Sequence, residues 1–182
     1  MKKIILALVA IFAVTASYAQ VSWDARIGAN VSGFSEGSQK MKLAMKAGVN
    51  MDYSFSRLFS LRPGLFFSMK GASANDKFQF FSGGDTWNIS YIELPVMASF
   101  HFPISGNFSL VANGGGYAAV RISQNDKSIG DLSAMDAGVD ASLDLVFNRF
   151  VMGAEVQYGL MDVVKNTKIH NLNYSLTFGY KF

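Results

Sequence analysis

The chain has 182 residues, half of them hydrophobic, and no cysteine. Without cysteine there is no disulfide, no thiol nucleophile and no lipid-modified amino-terminal cysteine. Its 16 basic and 13 acidic residues give a formal charge of +3, but part of that excess sits in the first three residues, so it is no evidence for a nucleic-acid partner.

The chain opens MKKIILALVAIFAVTASYAQ. Lys2 and Lys3 make a positive start, Ile4 to Val14 an apolar middle, and Ser17-Tyr18-Ala19 a small-x-small cleavage site. This layout predicts a secretory signal peptide over 1–19, cut after Ala19, and a mature domain over 20–182. A membrane-anchor helix needs about 20 apolar residues, and this stretch is shorter. Loss of the two lysines leaves 14 basic residues against 13 acidic ones.

Beyond residue 20 the hydrophobicity has a period of two, which sorts side chains between the two faces of a strand. The first strand, near 22–32, puts Trp23, Ala25, Ile27, Ala29 and Val31 on one face. The second, 43–55, runs from Leu43 through Met45, Ala47, Val49, Met51 and Tyr53 to Phe55. The third carries Phe59, Leu61, Leu65, Phe67 and Met69, and the fourth Ile92, Leu94, Val96, Ala98, Phe100 and Phe102. The fifth runs from Phe108 to Ile122, the sixth from Met135 to Phe147, and the seventh from Phe150 to Leu160. The last, NLNYSLTFGYKF, alternates Leu172, Tyr174, Leu176, Phe178, Tyr180 and Phe182 with polar residues or glycine.

Short connections fall at 56–58, 103–107 and 148–149; longer polar ones fall at 33–42, 71–86, 123–134 and 161–171. Eight antiparallel strands with tight turns at one end and long loops at the other make an up-and-down β-barrel. Pro63 and Pro95 interrupt the third and fourth strands, where a bulge or local distortion is expected because proline cannot donate to the ladder. The break in phase between Trp87-Ile89-Tyr91 and Ile92-Leu94 places an irregularity near Tyr91.

Three features turn the apolar face outward, to lipid. It carries about fifty residues, more than an eight-stranded barrel encloses. Charged residues within strands all fall on the other face, as expected where a charge facing lipid costs about 2–4 kcal/mol. Aromatics, including Trp23, Tyr53, Phe55, Phe59, Phe100, Phe102, Phe108, Phe147, Phe150, Tyr180 and Phe182, gather at the tight-turn ends, as in an interfacial girdle. The fold class is therefore an all-β, eight-stranded antiparallel transmembrane barrel.

The inward face holds six basic and seven acidic residues: Asp24, Arg26, Lys46, Asp52, Arg62, Lys70, Glu93, Arg121, Asp136, Asp140, Asp144, Glu155 and Lys181. A selective pore favours one sign; a near-balanced set predicts a salt-bridged plug. Its candidate core is Arg26, Arg62, Glu93, Asp140, Asp144 and Glu155, with Arg62 and Glu93 expected to pair across neighbouring strands. No catalytic set is visible. His101 and His170 lie at opposite ends, so no metal site is expected. Asn113–Gly116 is glycine-rich but lies within a strand, and no helix follows to make a phosphate cradle; close backbone approach explains it better. No cofactor is implied. In the second long loop, Phe78, Phe80, Phe81 and Trp87 are candidates for interaction.

YIELPVMASFHF, Tyr91 to Phe102, resembles the Tyr-Leu-Glu-Ile-Pro strand of the PorT-like small outer-membrane barrels of Bacteroidota. GAEVQYGLMDV, Gly153 to Val163, resembles the penultimate strand of that family, with Tyr158-Gly159-Leu160 spaced one residue differently from the usual Tyr-x-x-Gly-Leu. The terminal Phe182 resembles the carboxy-terminal signature read by the barrel-insertion machinery of Gram-negative bacteria. The resemblance implies the outer membrane, with both termini periplasmic, and partners that are lipid, the insertion machinery and an extracellular or periplasmic molecule not identified by any residue. The expected function is a non-enzymatic scaffold or surface-interaction protein. A narrow channel for small or apolar solutes is the alternative, and a lipid-modifying enzyme a further one, disfavoured because only Gln20 and Val21 precede the first strand and the lumen is charged. The resemblance also allows an accessory role in secretion.

Overall fold

The computed structural model describes residues 20–34, 40–70, 72–73, 89–124, 133–161 and 171–182. The expected signal peptide, the four loop aromatics and His170 lie outside them. Eight strands follow in order: β1 (Gln20–Phe34), β2 (Lys40–Ser54), β3 (Phe59–Lys70), β4 (Ile89–Ser105), β5 (Phe108–Gln124), β6 (Met135–Phe147), β7 (Phe150–Gly159) and β8 (Asn171–Lys181). A two-residue strand, Ala72–Ser73, adds pairs to Met41 and Lys40 of β2. Each strand pairs antiparallel with its neighbours in the chain, and β8 returns to β1 from Asp24↔Lys181 to Phe34↔Asn171. The sheet is thus closed. Closure leaves no row of unpaired amides and carbonyls, which a hydrocarbon surround could not satisfy.

The alternation sorts the strands as expected. Even-numbered residues of β3 such as Arg62, Phe66, Ser68 and Lys70 are buried, while on β8 Tyr174, Leu176, Phe178 and Tyr180 are exposed between buried Asn173, Ser175 and Thr177. No charged side chain that is described within a strand is exposed. The turn-end aromatics touch one another. Tyr53, Phe55, Phe59 and Phe100 form a chain with ring centroids 5.0, 5.8 and 5.4 Å apart, and Phe150 contacts Phe178 at 5.9 Å and Tyr180 at 5.7 Å.

Turn chemistry explains the tight end. Asn148 adopts φ 55° between paired Phe147 and Phe150, the left-handed conformation that a two-residue hairpin turn requires and asparagine tolerates. Ser56 Oγ accepts from the amides of Leu58 at 3.2 Å and Phe59 at 3.0 Å. The tight turn between β4 and β5 is shorter than expected: β4 runs through Pro103 to Ser105, leaving Gly106–Asn107, with a register shift between Pro103 and Ser105. Proline has no amide to lose at such an irregular strand end.

At Pro63 and Pro95 the structure shows the local distortion and not the bulge. The ladder between β3 and β4 skips from Pro63↔Val96 to Phe66↔Glu93 without changing register, so the cost of the prolines is missing rungs rather than a bulge. The irregularity near Tyr91 exists, but its extra residue is Ile122 of β5, skipped between Ser90↔Ser123 and Tyr91↔Arg121. Strand β4 keeps its phase, and Ile89 and Tyr91 turn inward with Glu93. Alternation with Glu93 places the tyrosine there, and its ring flanks the Lys70 ammonium at 5.6 Å.

The Asn113–Gly116 run lies inside β5. A methyl at Gly115 would come within 2.1 Å of the Val96 carbonyl oxygen, whereas one at Gly114 would meet nothing within 4 Å. Gly115→Ala is expected to cost about 1–3 kcal/mol by overpacking. Gly114→Ala is expected to be neutral or to stabilise by about 0.5–1 kcal/mol. Urea titration of both variants tests the contrast; equal effects would remove close approach as the reason for the glycine.

Candidate functional site in the barrel lumen

The lumen charges sit in two layers. Toward the turn end, Asp144 of β6 is the centre. Arg26 of β1 donates from Nη1 and Nη2 to its two oxygens at 2.9 and 3.0 Å, a two-pronged geometry that guanidinium suits. Arg62 of β3 donates to the same carboxylate at 2.5 Å and to Asp52 at 3.0 Å. Asn113 of β5 adds a third donor at 3.0 Å and accepts from Arg62 at 3.2 Å. Asp24 takes Arg26 Nε at 2.5 Å and Asn50 at 3.0 Å. One carboxylate thus ties β1, β3, β5 and β6 across the lumen.

Toward the loop end, Glu93 of β4 holds Lys70 at 2.6 Å and Lys46 at 3.5 Å, and Lys46 also pairs with Glu155 of β7. Gln157 donates to Asp140 at 3.0 Å and to Glu93 at 3.4 Å. Asp136 accepts from Tyr117 at 3.1 Å and Asn171 at 2.8 Å. Rings replace water around the lysines: Lys70 Nζ lies 4.6 Å from the Tyr117 centroid and 5.6 Å from that of Tyr91, and Lys46 Nζ lies 4.9 Å from Phe66. Such contacts stabilise a desolvated cation. Between the layers is a cavity of about 10 Å³, bordered by Arg26 and Arg62 below and Asp140 and Glu155 above. That is room for one water.

All six lumen residues singled out from the sequence, Arg26, Arg62, Glu93, Asp140, Asp144 and Glu155, line this interior. The expected Arg62–Glu93 pair does not form. Arg62 stands opposite Met97 and Glu93 opposite Phe66, four residues apart along the ladder, roughly 13 Å. Each falls in a different layer and finds other partners.

Sequence reasoning missed one grouping. Ser60 Oγ is 2.7 Å from His101 Nε2, and that nitrogen is 3.8 Å from Asp52. Only a shared face and two-residue offsets between neighbouring strands, His101 from Ser99 and Asp52 from Ser54, the two residues paired to Ser60, could have signalled it. The geometry is not that of a charge-assisted nucleophile, in which serine and carboxylate engage opposite ring nitrogens. Ser60 is also 0% exposed. Among the described residues, no group of His, Cys, Asp and Glu is placed to hold a metal ion. Phe182 exchanges backbone bonds with Trp23 at 2.9 and 3.4 Å, sealing the barrel, while its ring is exposed.

Residues 15–180 match the family described as "Outer membrane protein beta-barrel domain". No curated protein matches the sequence. Among solved structures the chain is similar to Neisserial surface protein A, at 10% identity and a TM-score of 0.58 over 90% of this chain and 99% of that one. It is similar to the outer membrane enzyme PagL, at 11% identity and 0.57 over 86% and 98%. It is also similar to Ail, the attachment invasion locus protein of Yersinia pestis, solved with the heparin analogue sucrose octasulfate, at 18% identity and 0.51 over 88% and 99%. At these identities the likeness is one of fold.

Proposed function

Since this chain belongs to the outer membrane protein beta-barrel domain family, we propose that it is a non-enzymatic, non-conducting scaffold of the outer membrane that presents its long loops for interaction. A fold shared with both a surface protein and an enzyme does not choose between the two. The observation that carries the reading is the lumen: ion pairs and hydrogen bonds around Asp144 and Glu93 cross-link the barrel, and the central cavity is about 10 Å³. The short turns and both termini of the chain face the periplasm in this reading. The long loops, with Phe78, Phe80, Phe81 and Trp87 in the second, face outward. Loops that join rigid strands are where binding residues concentrate. The Tyr91–Phe102 and Gly153–Val163 stretches support a narrower placement among PorT-like barrels of Bacteroidota.

Single-channel recording of the purified barrel, residues 20–182, in a planar bilayer is the test. No steady open level is the expected result. A reproducible open level would overturn the plug and favour the narrow channel.

A further inference from the structure

Among the described residues, the lumen charges are not balanced layer by layer. Near the turn end, Arg26, Arg62 and Lys181 offset Asp24, Asp52 and Asp144. Near the loop end, Lys46, Lys70 and Arg121 face four carboxylates: Glu93, Asp136, Asp140 and Glu155. Three of these four have company. Glu93 and Glu155 share the lysines, and Asp136 has Tyr117, Asn171 and Lys70 at 3.9 Å.

Asp140 is the odd one. It is 3% exposed. Its Oδ2 takes Gln157, its Oδ1 has no hydrogen-bond partner, and no cation among the described residues lies within ion-pair distance of it. It borders the cavity of about 10 Å³ between the layers. The groups that face it are Glu155 and Gln157 from β7, Glu93 from β4 and Lys46 from β2. From β5 the residue opposite is Gly115, which has no side chain. The one nearby cation, Lys46, is engaged by Glu155 and Glu93, and the two arginines across the cavity are engaged by Asp24, Asp52 and Asp144. An uncompensated buried carboxylate is far more costly than a paired one, and the space beside it fits a particle no larger than water.

We propose that Asp140 is a binding site for one small cation, a proton or a sodium ion, held inside the barrel. The bound charge balances the described charges of the loop-end layer and lets Lys46 stay with Glu155. The site goes beyond the scaffold reading and stands whether or not the loops bind a partner, because its readout is the barrel itself.

The test is the thermal unfolding midpoint of the folded protein in detergent between about pH 5 and about pH 9, in sodium chloride and in N-methylglucamine chloride. Because the folded state then holds a charge the unfolded chain releases, the wild-type midpoint falls as pH rises when no sodium is present. A protonated-carboxyl band in the infrared spectrum, absent from Asp140→Asn, assigns the charge as a proton. Recovery of the midpoint by sodium, without that band, assigns it as sodium. Asp140→Asn loses the dependence in both cases. Glu155→Gln frees Lys46 for Asp140 and loses it too, which keeps the test decisive if the first variant does not fold. A wild-type midpoint indifferent to both pH and sodium, or variants that keep its full dependence, would overturn the site.

Discussion

Asp144→Ala is expected to destabilise the barrel by about 3–5 kcal/mol, the cost of removing one partner from a buried ionic network. Asp144 is 0% exposed and receives both arginines and Asn113. Without it, Arg26 keeps Asp24 and Arg62 keeps Asp52, but two guanidinium groups face each other across the space that the carboxylate separated. The loss is therefore more than hydrogen bonds; it is repulsion in a low-dielectric interior that water reaches poorly. Ser142→Ala is the control. Ser142 gives up one bond, from Asn113 at 2.9 Å, and about 1 kcal/mol is expected. Reversible urea unfolding in lipid vesicles measures both. An Asp144→Ala loss no larger than that of Ser142→Ala would mean that the plug is decoration, and that the strand ladder alone holds the barrel.

The ease with which the strands are read and the difficulty of reading the network have one physical source. A period of two tells which face a side chain takes, and β1 to β8 follow it even across Pro63 and Pro95. It does not tell how high in the barrel the side chain sits. Height depends on how far each strand is staggered against the next, and stagger accumulates around a closed sheet. Arg62 and Glu93 share a face on adjacent strands, yet stagger puts them in different layers. Conversely, Arg26 meets Asp144 across 118 residues of sequence and Lys46 meets Glu155 across 109. No local pattern encodes such contacts. Tyr91 shows the other limit. An aromatic in an apolar run reads as lipid-facing until the buried lysine it covers is known.

The outward direction of the apolar face has its own test, and the size of the effect at two depths answers it. Leu176 is 69% exposed, near the middle of β8, paired to Ala29 of β1 and Ala154 of β7. On a water-soluble barrel, Leu176→Arg would replace an exposed apolar side chain by a solvated one and cost little. In a bilayer it puts a charge near the hydrocarbon midplane, for an expected loss of about 2–4 kcal/mol in folding free energy. Tyr180→Arg separates position from chemistry. Tyr180 lies on the same face of the same strand, four residues nearer the turn end, where Phe150 and Phe178 mark the aromatic belt. Four residues along a strand tilted by about 45° are worth roughly 9 Å of depth, enough for arginine to reach the interface, so about 0–1 kcal/mol is expected there. Folding into vesicles from urea, with both variants compared to wild type, gives the two numbers. A steep difference means that depth, not the arginine itself, sets the cost, and only a hydrocarbon slab has depth. Two small and equal losses would put water on the face of Leu176, Phe178 and Tyr180, and the lipid-facing assignment of the barrel would fall.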